Sequence, residues 1–468
     1  MTQHAVSTNQ RTRASKLAFF LINAIVIFTA LAYGAVHQPI IVLFYLLVAA
    51  AAIVWAADAL AGGSSPVRFS RSWFQLVIAA YALYGVAQAI PFGDIASTAG
   101  LAEVPRTISQ QPHATLATSV HILILLVFFS VTLTTLDSAK RIQRFVAVLT
   151  VFGAVFAFFA ILQGVLSPAK IYGIYERQFA TPYGSFVNRH NFAAYMEMTI
   201  AVPLAMLLTG AVARDKRLLY VTAIALMGIA LLLSGSRGGL VALLAEIAIL
   251  LFLTTTSRTA KGIAIKAALA IALLIAVIGG AIFVGGESSL SRFAETAGSE
   301  DVSSNRTHIW DVTVEVIRQN LPLGAGIGAF DTAYTRYDTS SGLERVEQAH
   351  NDYLQVLADA GVPGLVIGIA FLVVFIAEVK RVSRRKNLFR RGVGVGAAAA
   401  VSAVLVHSLF DFVLHTTAIS ALFLGLLAVL VACGYRYDDD IEDDEHKRSR
   451  RSPRGIVSPL RAKRRLAR

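Results

Sequence analysis

A polar stretch in the last third of the sequence carries the residue best suited to acid–base chemistry. His350 is followed directly by Asn351 and Asp352, outside any long apolar run. Histidine is the side chain whose ordinary pKa lets it take up a proton near neutral pH. A lone histidine is more often structural, but this polar setting favours a general base at His350, with Asn351 in a supporting role.

Three arginines predict an anion site on the same side of the chain. Arg237 lies between two apolar runs that only the turn 234–239 separates, and Arg189 and Arg306 lie in other polar segments. An arginine at the edge of an apolar run is costly and usually has an anionic partner. The helix after this turn adds the positive end of its dipole. The three cations together fit a diphosphate; the alternatives are a lipid phosphate for Arg237 and a solvated charge for Arg306.

Ionisable residues inside the apolar runs form a second group of candidates. Glu197 and Glu246 fall within such runs, where carboxylates often mark functional sites, although burial against an arginine, a tyrosine or the backbone is the alternative. His407, Asp411 and His415 are spaced four residues apart, which predicts one helix face. A metal site there is conceivable, and a hydrogen-bonded stripe is the preferred interpretation.

The composition defines the setting in which these residues must be held. Of the 468 residues, 56% are hydrophobic and only 15% are charged, against about a quarter in a soluble chain. A soluble enzyme, a disordered chain and a disulfide scaffold are therefore excluded. The single cysteine, Cys433, has no partner for an intramolecular disulfide.

Twelve apolar runs predict an all-α, polytopic membrane protein. Each run is near the length needed to cross a bilayer, and in lipid each must be helical to satisfy its backbone polar groups. The runs are 17–36, 39–60, 73–90, 115–136, 145–166, 191–210, 218–234, 238–256, 262–284, 361–378, 392–409 and 415–433.

The distribution of positive charge predicts the orientation. With the amino terminus in the cytoplasm, 32 of the 42 lysines and arginines fall on the cytoplasmic side, as membrane proteins prefer. Both termini are then cytoplasmic. The formal net charge of +13 is therefore read as a topology signal, and no nucleic-acid partner is expected.

The runs also predict the division of the chain. Its parts are helices one to nine over 1–284, a large outside loop over 285–360, the last three helices over 361–436 and a disordered cytoplasmic tail over 437–468. Within the loop, apolar residues around Trp310 recur at helical spacing, and Pro322 ends that helix. The glycines of 324–328 are interpreted as a turn, since no strand precedes them as a dinucleotide site requires.

Four motifs resemble the O-antigen ligase and polymerase superfamily, in the order of that family and on one side of the chain. They are Gly184-x-Phe186-x-Asn188-x-x-Asn191, the looser match; Ser234-Gly235-Ser236-Arg237-Gly238-Gly239; Arg306-x-x-x-Trp310 with Pro322-x-Gly324-x-Gly326; and His350-Asn351 with Gly361-x-x-Gly364. They span roughly 184–364, and the remaining helices match only in hydropathy.

The resemblance implies a membrane glycosyltransferase of the GT-C type that uses neither metal nor cofactor. Such enzymes move a glycan from undecaprenyl diphosphate to a hydroxyl at the periplasmic face of the bacterial inner membrane. The implied base is His350, and the implied diphosphate ligands are Arg237, Arg189 and Arg306. The spacing around Arg189 departs from the family pattern. Supporting roles are expected for Asn351, Asn191 and Glu246.

The acceptor stays open at this point. Ligases that act on lipid A-core and polymerases of O-antigen or exopolysaccharide repeat units share the motifs, so the motifs do not separate them. A ligase is slightly favoured. The stretch His407-Ser408-x-x-Asp411-Phe412 resembles one found in family relatives from exopolysaccharide clusters.

A secondary transporter is a distant alternative, since no two similar halves are visible. A non-catalytic scaffold is a third. A direct displacement with a His base predicts inversion at the anomeric carbon.

Overall fold

The structure is a computed structural model. It describes residues 12–61, 72–94, 105–168, 170–176, 181–254, 306–339 and 345–435, together with a few single positions between 262 and 271.

Helices make up 79% of the described chain. They are α1 (Arg13–Leu31), α2 (Gln38–Leu60), α3 (Trp73–Gln88), α4 (Pro112–Thr135), α5 (Ala139–Leu166), α6 (Arg189–Thr209), α7 (Arg217–Leu233), α8 (Arg237–Thr254), α9 (Arg306–Asn320), α10 (Phe330–Thr335), α11 (Asp352–Ser383), α12 (Leu388–His407) and α13 (Thr417–Gly434). Short 3-10 turns cover Tyr33–Ala35, Arg214–Lys216 and Val413–His415. The described strands form two antiparallel pairs, β1 (Gly93–Asp94) with β2 (Pro105–Arg106) and β3 (Lys170–Ile171) with β4 (Tyr175–Glu176).

The all-α, polytopic membrane architecture predicted from the apolar runs is confirmed. Ten of the described helices are long and apolar enough to span a bilayer, and α3 is a shorter apolar helix. Eleven of the twelve predicted runs coincide with these helices. The remaining run, 262–284, lies almost wholly outside the described residues.

The centre of the bundle is formed by α6, α12 and α13. Their apolar windows are 89%, 72% and 100% buried, whereas that of α2 is 17% buried. Small residues on α12 allow the close approach, since a Cβ at Gly396 would meet Val202 Cα of α6 at 2.6 Å. Close packing of small residues is a main source of helix association in lipid, where burial of apolar surface gives little.

Several helix termini meet at one end of the bundle, which we call the loop end. At the start of α6, Asn191 Nδ2 donates to Thr416 Oγ1, just before α13, at 2.6 Å. At the start of α11, Asp352 N donates to Ser408 O, just after α12, at 2.9 Å. The segments that carry the sequence motifs are therefore brought to the same end.

The segment before α11 has a small core of its own at the loop end. Its buried members are Ile309, Val312, Val316, Ala325, Phe330, Ala333, Tyr334, Ala349 and Ala358. The apolar side of α9, expected from the spacing around Trp310, thus packs on α10 and on the beginning of α11. This core ties the chain on both sides of His350 to a rigid helix.

Two helices differ from the sequence expectation. The run predicted over 361–378 is part of a longer helix that begins at Asp352. Helix α12 ends at His407, and a turn and a 3-10 segment follow. The prediction that His407, Asp411 and His415 share one helix face is therefore wrong, because only His407 belongs to the helix.

Candidate active site

His350 is held in a fixed position just before α11. The Asn351 side chain caps that helix by accepting from two amides of its first turn. The preceding residue, Ala349, is fixed by its carbonyl, which accepts from Trp310 Nε1 at 3.0 Å, and by its N–H, which donates to Gln355 Oε1 at 2.7 Å. His350 itself has a positive φ of 49°, a strained conformation that is found more often at functional sites.

A break in α11 anchors the loop to this helix. Gly361 has φ 55° and ψ −141°, and Pro363 has no N–H. The N–H of Val362 turns away from the helix and donates to Pro322 O at 2.9 Å. Only glycine fits at this point, since a Cβ at Gly361 would lie 2.3 Å from Pro322 O. The spacing Gly361-x-x-Gly364 thus has a structural cause at its first glycine.

The break frees two helix carbonyls, and the glycine-rich segment after α9 uses both. Ala325 N donates to Ala358 O at 2.8 Å, and Gly326 N donates to Asp359 O at 3.0 Å. Gln88 Nε2 of α3 also donates to Asp359 O, at 2.9 Å. The interpretation of these glycines as a turn is confirmed, and the turn serves to dock the loop on α11.

The imidazole of His350 is oriented by a buried carboxylate. Its Nδ1 lies 3.1 Å from Asp411 Oδ1, and the Asp411 side chain is only 3% exposed. The Phe412 ring lies edge-on to the imidazole, with centroids 4.8 Å apart. The His350 side chain is 31% exposed, so one face of the imidazole stays accessible at the loop end. An imidazole oriented in this way can accept a proton at its accessible nitrogen.

Asp411 is shared by further basic groups. Arg306 Nη2 lies 3.4 Å and His190 Nδ1 3.9 Å from its Oδ2. Burial by itself would raise the pKa of the Asp411 carboxyl, but the hydrogen bond with His350 and the charges of His190, His350 and Arg306 outweigh burial and hold this pKa well below its usual value. The carboxylate is therefore ionised throughout the physiological pH range.

His190 links this cluster to the turn before α8. Its Nδ1 is 2.9 Å from Ser236 Oγ, which also accepts from Gly239 N at 3.1 Å. The Arg189 guanidinium lies over the same turn, because a Cβ built at Gly235 would be 3.6 Å from Arg189 Nη1. The turn 234–239 and the start of α6 therefore form one surface beside Asp411.

This surface is positively charged. Arg189 begins α6, Arg237 begins α8 and is exposed, and Arg306 begins α9. Each helix also presents the positive end of its dipole at its first turn. An accessible imidazole beside guanidinium groups and helix amino termini can accept a proton while an anion is held nearby.

The three residues expected to support the site have different surroundings. Asn351 caps α11 and its Nδ2 donates to Leu409 O at 3.1 Å. Asn191 is buried and bonds Thr416 at 2.6 Å, which ties α6 to the segment before α13. Glu246 lies inside the bundle, fully buried, and neither of its carboxyl oxygens has a hydrogen-bond partner among the described residues.

The other buried carboxylate pairs with a histidine. Glu197 Oε2 lies 3.2 Å from His407 Nδ1, and both side chains are 0% exposed. The His407 ring rests on Gly238, where a Cβ would be 2.9 Å from its Nε2. Within the described part of the chain, no three His, Cys, Asp or Glu side chains are grouped so that they could hold a metal ion. The conceivable metal site at His407, Asp411 and His415 therefore has no counterpart there.

Sequence reasoning missed two members of the cluster. His190 lies within the motif Gly184-x-Phe186-x-Asn188-x-x-Asn191, but the motif does not specify the residue at its position. Asp411 was assigned to a helical stripe, although it points to His350 from a turn. A usable signal was present at Asp411, since an acid at the end of an apolar run needs a partner at the same membrane face.

The comparison with protein families places this geometry in context. Residues 222–369 match the sequence model of a family described as O-antigen ligase. The matched region runs from α7 into α11 and includes Arg237, Arg306 and His350, whereas Asp411 lies outside it. No curated protein matches the chain. The resemblance recognised from the four motifs is confirmed for residues 222–369, and this match supports a membrane glycosyltransferase of the O-antigen ligase or polymerase type.

Proposed function

We propose that the protein transfers a glycan from undecaprenyl diphosphate to lipid A-core, as an O-antigen ligase. The reaction takes place at the loop end of the bundle. The excess of positive charge on the opposite side supports a position of this end at the periplasmic face of the bacterial inner membrane. Both termini then lie in the cytoplasm.

The observation that carries the proposal is the His350–Asp411 pair. Asp411 is ionised and accepts from Nδ1, so the lone pair of His350 is at Nε2. An acceptor hydroxyl at Nε2 can lose its proton to the ring as its oxygen attacks the anomeric carbon. Asp411 then stabilises the imidazolium that forms.

The bond changes in this step balance without a further reactant. The hydroxyl oxygen forms a bond to the anomeric carbon, and the bond from that carbon to the diphosphate oxygen breaks. The electron pair leaves with the diphosphate, and the proton stays on His350 until it passes to solvent. Because attack and departure occur on opposite faces in a single displacement, the configuration inverts.

Guanidinium groups supply the charge that the leaving diphosphate needs. Arg306 contacts Asp411, the carboxylate that also binds His350. Arg189 and Arg237 lie at the neighbouring turn 234–239. Positive groups fixed where negative charge develops can lower a barrier strongly. We therefore propose a reaction without metal or cofactor, in which these arginines take the role a divalent cation has elsewhere. Asn351 and Asn191 support the site by fixing the segments that carry it, and the role of Glu246 stays a prediction.

A polymerase of O-antigen or exopolysaccharide repeat units is the second candidate. The same base and the same arginines would serve it, because the donor chemistry is identical. Only the acceptor differs, and the motif around Asp411 and Phe412 is the observation that favours this alternative.

The test uses the native bacterium with the gene deleted and complemented by wild type, His350→Ala or His308→Ala. His308, on α9, is the matched control, because it also pairs with an aspartate, Asp338, at 3.0 Å. We expect polymer on the lipid carrier but not on lipid A-core in the deletion and in His350→Ala, and full transfer in His308→Ala.

Other outcomes decide between the alternatives. If single repeat units accumulate, or secreted polymer disappears, the protein is a polymerase. If His350→Ala restores all products at normal protein levels, the residue is not the base and the proposal fails.

A further inference from the structure

A second Asp–His pair lies directly beside the first, with the partners exchanged. His350 and Asp352 flank Asn351 at the start of α11, and Asp411 and His415 lie in the turn after α12. The start of α11 therefore contributes the histidine to the His350–Asp411 pair and the aspartate to the His415–Asp352 pair. His415 Nδ1 lies 3.1 Å from Asp352 Oδ1, the same distance that separates His350 from Asp411.

The Asp352 carboxylate holds both ends of this turn. At the beginning of the turn, Ser408 Oγ donates to Asp352 Oδ2 at 2.7 Å. At its end, His415 binds Oδ1 and Leu414 N donates to Oδ2 at 3.5 Å. Asp411 lies midway between these attachment points. One side chain therefore bonds the turn on both sides of the Asp411 carboxylate.

The backbone reinforces the same connection. Asp352 N donates to Ser408 O at 2.9 Å, and Asn351 Nδ2 donates to Leu409 O at 3.1 Å. These bonds fix only the first half of the turn. The second half is joined to α11 through the Asp352 carboxylate, so loss of His415 would leave it only the longer bond from Leu414 N, at 3.5 Å.

We propose that Asp352 and His415 are positioning residues, which clamp the 408–415 turn on α11 so that Asp411 orients His350 for proton transfer. This inference rests on the proposed function of His350. The competing explanation is local: an aspartate in the first turn of a helix is favourable for the helix by itself. That explanation predicts a loss of stability but no change in turnover per folded molecule.

The experiment compares two substitutions at one position. His415→Asn keeps an N–H donor at the place of Nδ1, and His415→Leu removes it. The matched control is His308→Leu, which breaks an Asp–His pair of 3.0 Å between α9 and Asp338, the third residue after α10. Each full-length protein is purified and checked for its melting temperature. Transfer is then measured with carrier-linked glycan from the deletion strain as donor and lipid A-core from that strain as acceptor.

A misplacement of about 1 Å at a reacting group can cost about 100-fold in rate, so we expect His415→Leu to lower kcat by about 10- to 100-fold with KM for the donor nearly unchanged. His415→Asn should recover most of kcat, and His308→Leu should keep it. The inference is overturned if His415→Leu keeps wild-type kcat per folded molecule, or if His415→Asn is as inactive as His415→Leu. Because His350→Ala is measured in parallel, an active His350→Ala would instead overturn the function itself.

Discussion

The replacement Asp411→Asn tests the orientation of the base without changing the shape of the site. The carboxylate accepts from His350 at 3.1 Å and also faces Arg306 at 3.4 Å. A hydrogen bond to a charged group contributes about 1.5–3 kcal/mol, and each 1.4 kcal/mol is about tenfold in rate. Loss of this term alone predicts a decrease in kcat of about 10- to 150-fold.

An amide at this position can do further harm. Its NH₂ group can donate to Nδ1, which moves the imidazole proton to Nε2, where the acceptor hydroxyl must bind. The same aspartate-to-asparagine replacement beside the histidine of a Ser-His-Asp triad gives the wrong tautomer and lowers kcat about 10⁴-fold. The expected decrease for Asp411→Asn therefore lies between about 10-fold and 10⁴-fold.

The assay is transfer of carrier-linked glycan to lipid A-core by purified protein, with kcat and KM determined separately. Asp338→Asn is the control, because Asp338 pairs with His308 at 3.0 Å away from Asp411. We expect Asp338→Asn to keep kcat within about threefold, because the Asp338 carboxylate pairs with His308 whereas the base His350 pairs with Asp411. Wild-type kcat in a folded Asp411→Asn protein would refute the reasoning, because the base would then need no carboxylate.

Two further predictions concern the packing and the pH response of the loop end. Gly238→Ala should destabilise the protein by about 1–3 kcal/mol and reduce transfer, because the new Cβ would lie 2.9 Å from His407 Nε2. Gly368→Ala, which meets nothing within 4 Å, should keep melting temperature and transfer rate; equal melting temperatures for both variants would contradict this. Burial lowers the pKa of His415, but the hydrogen bond and charge of Asp352 outweigh it, so the pKa is raised overall. Its contribution to stability is then full below about pH 6.5 and lost as pH rises through the raised value, so melting temperature should fall above pH 6.5, less so in His415→Asn.

Much of the fold could be predicted from the sequence because lipid leaves few choices. An apolar run near bilayer length must form a helix, and this rule located α1 to α8, α12 and α13 to within about six residues. It could not locate the true start of α11. Polar residues such as Asp352 and Gln355 are accommodated at its start because Asp352 bonds Ser408 and His415 and Gln355 accepts from Ala349 N, and such contacts are tertiary.

The candidate site was predicted only in part for the same reason. His350 and Arg306 could be proposed from residue type, yet their common partner Asp411 comes from a turn 61 residues beyond His350. The regular spacing of His407, Asp411 and His415 suggested a helix that the structure ends at His407. Spacing reports a helix face only where the helix continues, and hydropathy does not mark its last residue.

The broken helix at Gly361 has a consequence for building chimeras between related enzymes. Two carbonyls of α11, at Ala358 and Asp359, find their donors in Ala325 and Gly326, more than thirty residues earlier in the chain. Suppose that the outer loop is grafted from a relative with a junction between residues 326 and 358. The N–H donors and the carbonyl acceptors of these two hydrogen bonds would then come from different proteins. Acceptor preference should therefore be transplantable only as a block that extends from before Pro322 to beyond Pro363, with junctions inside membrane-spanning helices.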